Sequence, residues 1–252
     1  MNYWGIVKKI IMRADMVVVV LDARMPELSR NEDVESIVIK SKKKLFLAFN
    51  KIDLVSKEHF AFLKKRYQHA FFVSGSNNIG INRLRTAILI AAKREGIEKP
   101  IVGVVGYPNV GKSAIINALA HRAKALVSAT AGTTRGVQIV KAGTLHILDS
   151  PGVFPYGTDE TRLGILAAKN PEQIKNPELV ACRIIEMILE SNRNALEDFY
   201  NIKIEEESGW DSYEIMLQIG QQRRMLMKGG ITDEHRTAIQ IIRDWQTGKL
   251  QL

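Results

Sequence analysis

Gly106-Tyr107-Pro108-Asn109-Val110-Gly111-Lys112-Ser113 decides how this 252-residue chain folds. The octapeptide satisfies GxxxxGK[ST] at every constrained position. Its glycines let the backbone wrap a phosphate chain without Cβ clashes. Successive N–H groups from Asn109, Val110 and Gly111 through Lys112, Ser113 and Ala114 can then point inward. Lys112 supplies a cation for the β and γ phosphates, and the Ser113 hydroxyl can ligate Mg²⁺. The helix that starts there adds its positive dipole end. The flanks agree: apolar Ile101-Val102-Gly103-Val104-Val105 leads in, and helix-forming Ala114-Ile115-Ile116-Asn117-Ala118-Leu119 leads out.

Outward from that loop, short apolar runs alternate with helical patterns. Strands are expected at 16–22, 45–50, 70–74 and 101–106, with helices at 31–41, 57–67 and 81–95. In the last of these helices Ile81, Leu84, Ile88, Ile90 and Ala91 recur at near-helical spacing. A helix at 113–121 and strands at 138–141 and 145–148 follow. From about residue 161 strand signals stop, and helices are expected at 179–189, 195–200, 213–227 and 233–245. Thr232 reads as the N-cap of the last helix and Gly248 as its stop. The fold class is therefore α/β: a P-loop NTPase-type, mostly parallel sheet with helices on both faces over residues 1–165, then an all-helical domain at 166–252.

The 46% hydrophobic fraction is ordinary for a globular protein, and no apolar run approaches the length a membrane span needs. The single Cys182 excludes an internal disulfide framework, which makes the cytoplasm the expected compartment; a monomer is the expected state. Net charge is +9, carried by the first half: residues 1–99 hold 19 basic against 10 acidic side chains. Such a surface attracts polyanions, RNA first among them.

Asn50-Lys51-Ile52-Asp53 follows the apolar strand Leu45-Phe46-Leu47-Ala48-Phe49. Guanine presents two donors on one edge, and a carboxylate can take both; adenine would leave Asp53 desolvated and unpaired. Asn50 can bond the base or brace the phosphate loop, and the Lys51 stem can cover the purine face. Ser74-Gly75-Ser76, after a further strand, could offer N–H groups to the guanine carbonyl or be an ordinary turn. The tetrapeptide alone occurs by chance in about one chain in thirty. Its conjunction with a phosphate loop is what gives it weight.

Asp149-Ser150-Pro151-Gly152 ends the strand at 145–148, where a Mg²⁺-ordering carboxylate and a γ-phosphate N–H are needed. Between loop and strand lies Ala131-Gly132-Thr133-Thr134-Arg135-Gly136, in which Thr134, or else Thr133, is the candidate for the second Mg²⁺ hydroxyl. Lys112, Thr134 and Gly152 are the candidate catalytic contacts. Val153 stands where many GTPases have a water-positioning glutamine, which implies slow intrinsic hydrolysis. Arg223, Arg224 and Lys228 sit together on an expected helix and could face RNA phosphates or only solvent. Trp210, Tyr213 and Trp245 read as core anchors of the helical domain, and His146 as a packed strand residue.

The motifs run NKxD, Ser-Gly, GxxxxGKS, Thr-Thr, DxxG, so the guanine half precedes the phosphate half. This circular permutation, together with Asp22-Ala23-Arg24-Met25-Pro26 after the first strand and a helical C-terminal domain, resembles the circularly permuted ribosome-assembly GTPases of the YlqF (RbgA) type within the TRAFAC class. The resemblance covers essentially the whole chain. It implies GTP hydrolysis during large ribosomal subunit maturation, with ribosomal RNA as activating partner and GTP/GDP and Mg²⁺ as ligands. It also implies that Asn109 helps hold a K⁺ ion in place of an arginine finger. The DxxG segment leads straight into the helical domain, so a γ-phosphate-driven reorientation is expected. Two other readings use the same residues: a module holding GTP as a structural ligand, and an ATP-dependent enzyme with a chance NKxD.

Overall fold

Met16-Val17-Val18-Val19-Val20-Leu21-Asp22 is buried at every residue, as a strand with neighbours on both edges and covered faces must be. The computed structural model describes residues 3–121, 138–149, 159–167, 169–204 and 211–250. It divides into two compact units, residues 1–53 with 60–157 and residues 54–59 with 158–252.

The strands are β1 (Met16–Asp22), β2 (Lys44–Asn50), β3 (Phe71–Phe72), β4 (Ile101–Val105), β5 (Gln138–Ala142) and β6 (Leu145–Asp149), in the spatial order β3-β2-β1-β4-β6-β5. All pairings are parallel except β5 with β6. The helices up to β5 are α1 (Tyr3–Arg13), α2 (Pro26–Ser29), α3 (Glu32–Lys40), α4 (Lys57–Arg66), α5 (Ile81–Arg94) and α6 (Lys112–His121). β3 is shorter than its apolar run because Ser74 turns back to bridge Ile79. Asn31 caps α3 by accepting from Val34 N at 3.2 Å, ahead of an acidic first turn that suits the helix dipole. On α5 the buried face is Ile81, Leu84, Ile88 and Ala92; Ile90, expected on that face, is exposed. Ala92 takes the place because it keeps the four-residue step from Ile88.

Helix α1 is absent from the sequence reading, although Ile6, Val7, Ile10 and Ile11 form its buried face. Their spacing is helical.

In the second unit α7 (Glu160–Ile165), α8 (Pro177–Tyr200), α9 (Ser212–Gln222) and α10 (Glu234–Gln246) pack around Ile184, Ile185, Ile188, Met216, Ile241 and Trp245. The two helices expected at 179–189 and 195–200 form one element bent at Asn192, whose φ of −156° breaks the helix. Asn192 Oδ1 then accepts from Ala195 N at 3.3 Å and restarts it. The N-cap of α10 is Asp233, which accepts from Arg236 N at 3.0 Å, rather than Thr232, whose hydroxyl donates to Leu217 O. Gly248, at φ +76°, follows the C-cap as expected. Trp245 is fully buried, with Nε1 donating to Ile165 O at 2.9 Å. Tyr213 is no core anchor: it begins α9 on the outside, 39% exposed. Trp210 lies outside the described residues. Arg223, Arg224 and Lys228 lie beyond the end of α9, not on it, because Met225 and Leu226 enter a turn closed by the Leu226–Thr232 bridge. Among the described residues no helix is long and apolar enough to cross a membrane.

One consequence of the sheet order positions the site. With β3, β2, β1, β4 and β6 parallel, the segments that follow them all emerge at one edge of the sheet. The 50–53, 74–76 and 106–113 loops and Asp149 therefore meet there.

Candidate nucleotide-binding site

Asn50 is the joint. Its Nδ2 donates to Val110 O at 2.9 Å and lies 3.4 Å from Gly111 O, while its Oδ1 accepts Gly75 N at 2.9 Å. One buried amide thus ties together the segments after β2, β3 and β4. Every donor and acceptor of such a group needs a partner once water is excluded, so the brace is specific. Gly111, at φ +92°, is required on two counts: the backbone turns left-handed, and any Cβ would overlap Asn50 Nδ2.

Lys112 opens α6 and is only 6% exposed. Its Nζ donates to Gly106 O at 3.0 Å and Tyr107 O at 2.7 Å, which swings the ammonium back across the loop. Burial pushes its pKa down to about 8, against the opposing pull of Asp149. Asp149 stands at the end of β6 beside Val104. Burial pushes its pKa up, with Lys112 pulling the other way, and its Oδ1 is buried without a hydrogen-bond partner among the described residues. Ser113 is exposed at the start of α6. An orphaned carboxylate oxygen and an accessible hydroxyl are the donor set Mg²⁺ takes. Val110 is buried, Ala114 half-buried, and Asn109 exposed at φ +59°. Thr133, Thr134, Gly152 and Val153 lie outside the described residues.

At the other end Lys51 turns at φ +65°, and Asp53 sits in the short 3₁₀ turn Ile52–Leu54. Asp53 Oδ1 is buried with no hydrogen-bond partner among the described residues, an arrangement that guanine's paired donors would satisfy. Ser74 is fully buried and its Oγ accepts from Asn77 N at 3.2 Å and lies 3.3 Å from Ser76 Oγ. Gly75 backs directly on α6: a Cβ there would stand 2.8 Å from Ala114 C and 2.9 Å from Ile115 N.

The chemistry of one cluster escapes the sequence reading. Asp22 and Arg24, 1% and 2% exposed, form a buried ion pair that Lys51 joins with Nζ 2.8 Å from Asp22 Oδ2. Burial by itself would raise the Asp22 pKa; Arg24 and Lys51 outweigh it and hold the carboxyl below its ordinary value. The signal was present in the sequence, an acid closing an otherwise apolar strand, but spacing alone does not reveal its partners.

Residues 101–211 match the 50S ribosome-binding GTPase family. GTP-binding protein MJ1464 of Methanocaldococcus jannaschii is 38% identical over 247 residues, covering 97% of this chain and 65% of the relative. The fold is shared with YlqF from T. maritima in its GDP-bound structure, with TM-score 0.61 at 22% identity over 97% of this chain and 95% of that one. Its GNP-bound structure gives TM-score 0.59 at 21% identity over 99% and 95%. With its guanine motif ahead of its phosphate loop, the chain resembles a circularly permuted P-loop GTPase. Another similar protein is the nuclear GTP-binding protein NUG1 of Saccharomyces cerevisiae, 30% identical over 98% of this chain and 55% of its own length. The chain spans 65% of the length of the first of these relatives and 55% of the second.

Proposed function

We propose that this chain binds GTP across the edge joined by Asn50 and hydrolyses it to GDP and phosphate as a conformational switch in large ribosomal subunit assembly. The observation that carries the reading is the Asn50 side chain, which brings the guanine-motif loop and the phosphate loop within hydrogen-bond contact although they lie far apart in sequence. In this reading Asp53 takes the two guanine donors, and Lys51 covers the base. Of Ser74, Gly75 and Ser76, it is the Ser76 N–H that is offered to the guanine carbonyl, since Ser74 N already donates to Ile79 O and Gly75 N to Asn50 Oδ1. Asn109, Val110, Gly111, Lys112, Ser113 and Ala114 cradle the phosphates. Asp149, Ser113 and Thr134 would hold Mg²⁺, which when bound neutralises charge developing on the phosphate oxygens. Asn109 would help hold K⁺. Lys112 clamps the β and γ phosphates, Gly152 approaches the γ-phosphate, and Val153 leaves the attacking water unoriented.

The partner is ribosomal RNA in a large-subunit precursor, a reading supported by the basic excess of residues 1–99 and the 50S ribosome-binding family match. The chain acts in the cytoplasm as a monomer. Residues 1–165 handle the nucleotide, and the helical residues 166–252 respond to it. That response predicts hydrogen exchange in 159–250 that differs between GDP and a non-hydrolysable GTP analogue; identical exchange would remove the switch from the account.

GTP turnover measured in Na⁺ and in K⁺, with and without large ribosomal subunits, tests the function. The expected result is slow phosphate release alone and at least about tenfold faster release with K⁺ and subunits together. No release under any of these conditions would leave a GTP-holding module instead.

A further inference from the structure

The Asp22 carboxylate at the end of β1 already has a matched partner. Arg24 places Nε 3.1 Å from Oδ1 and Nη2 3.0 Å from Oδ2, and its backbone N donates to Oδ1 at 3.1 Å. A two-point arginine–carboxylate pair is neutral, and a second cation adds crowding rather than balance. Yet Lys51 Nζ also reaches Asp22 Oδ2 at 2.8 Å. The backbone maintains this approach. Asp22 and Asn50 are register partners, Ala23 N donates to Asn50 O at 2.8 Å, and Lys51 turns left-handed directly afterwards. Ser29 Oγ accepts from Asp22 N at 3.0 Å and donates to Met25 O at 2.9 Å, which pins the acid's own backbone.

The extra cation makes sense beside Asp53. That carboxylate lies two residues from Lys51, within its electrostatic reach, and has a buried oxygen without a partner. A flexible ammonium with no better acceptor would be drawn onto it and would occupy the atoms that guanine's donors require. Asp22 offers Lys51 a competing, rigidly held acceptor.

We propose that Asp22 is a positioning residue for guanine selectivity: its Arg24-locked carboxylate holds Lys51 off Asp53 and keeps the Asp53 oxygens open to the purine. The inference rests on the assignment of Asp53 to guanine and adds to it a residue that touches no nucleotide.

The test is the ratio of dissociation constants for IDP, which lacks guanine's 2-amino donor, and GDP, measured on the full chain. Removing the Asp22 charge alone would deprive buried Arg24 of this carboxylate, so the variant is Asp22→Asn/Arg24→Gln. Its ratio is expected to fall about tenfold, and adding Lys51→Met is expected to restore most of it. A purely structural lesion would not be repaired by a third substitution. Lys51→Met alone leaves the Asp22–Arg24 pair intact and guards against a variant that fails to fold. It should weaken GDP and IDP together, with their ratio unchanged within about twofold. Three results would overturn the inference: a native ratio in the double variant, no recovery in the triple, or a tenfold loss of ratio in Lys51→Met. A native chain that does not distinguish GDP from IDP would instead overturn the Asp53 assignment itself.

Discussion

At the guanine end of the site an acid is buried with an oxygen that has no partner; at the phosphate end a lysine is buried against two backbone carbonyls. The two ends are desolvated in opposite senses, one short of donors and the other short of an anion. A molecule carrying donors at one extremity and negative charge at the other satisfies both, and only in one orientation. Between them Asn50, hydrogen-bonded on both its oxygen and its nitrogen, fixes their separation. The difference teaches that affinity and base choice are set at separate ends, so substitutions should separate them too.

Lys112→Ala should produce the largest effect, a loss of GDP and GTP affinity of about a thousandfold, since truncating one partner of a buried charge pair costs 2–5 kcal/mol or more. Inosine nucleotides should lose as much as guanine ones. Retained tight binding in equilibrium titration would remove the phosphate-loop assignment. Asp53→Asn should weaken GTP about a hundredfold, because charge-assisted hydrogen bonds contribute about 1.5–3 kcal/mol each and the amide turns a donor toward guanine's donors. Inosine nucleotides should lose less, which is the contrast with Lys112→Ala. Unchanged GTP affinity would break the comparison.

The lowered pKa of Lys112 gives a pH test. Above about 8 the chain without nucleotide sheds this proton, whereas the phosphates require it, so GDP affinity should fall as pH rises from 8 to 9, approaching tenfold per unit. The sign for folding is opposite. Without nucleotide the unfolded chain binds more protons than the folded one between about 8 and lysine's ordinary 10.5, so stability should rise with pH in that window. Affinity that stays flat to pH 9 would mean that the ammonium is not the phosphate contact. The smallest effect belongs to Gly75→Ala. The added Cβ meets backbone atoms of Ala114 and Ile115, which cannot rotate away, and overpacking of this kind costs about 1–3 kcal/mol. A melting temperature lower by several degrees and several-fold weaker GDP binding are expected; a variant indistinguishable from the native chain would show that the turn does not bear on α6.

The parts of this molecule that were legible in its sequence are those where chemistry restricts residue type. A loop that must wrap phosphate needs Gly111 and Lys112, and a strand buried on both faces needs the run from Met16 to Leu21, so both could be located by pattern. Helix α1 carries such a pattern as well, in Ile6, Val7, Ile10 and Ile11. Tyr213 carried none: an aromatic residue near the start of a helix faces inward or outward according to the packing around it, and here Ile215 and Met216 take the buried face. Arg223 and Arg224 looked helical because arginine, methionine and leucine are good helix formers, and propensity did not register the turn closed at Thr232. Asp22, Arg24 and Lys51 were each visible. Their meeting depends on β1 and β2 being register partners, which no local pattern states.

The most direct measurement is a crystal structure with GDP and Mg²⁺. The account predicts both Asp53 carboxylate oxygens about 3 Å from the purine's N1 and N2. It also predicts Lys112 Nζ moved from the Gly106 and Tyr107 carbonyls to the β-phosphate. A guanine seated away from Asp53 while its phosphates rest on Lys112, or phosphates that leave Lys112 on its carbonyls, would contradict it.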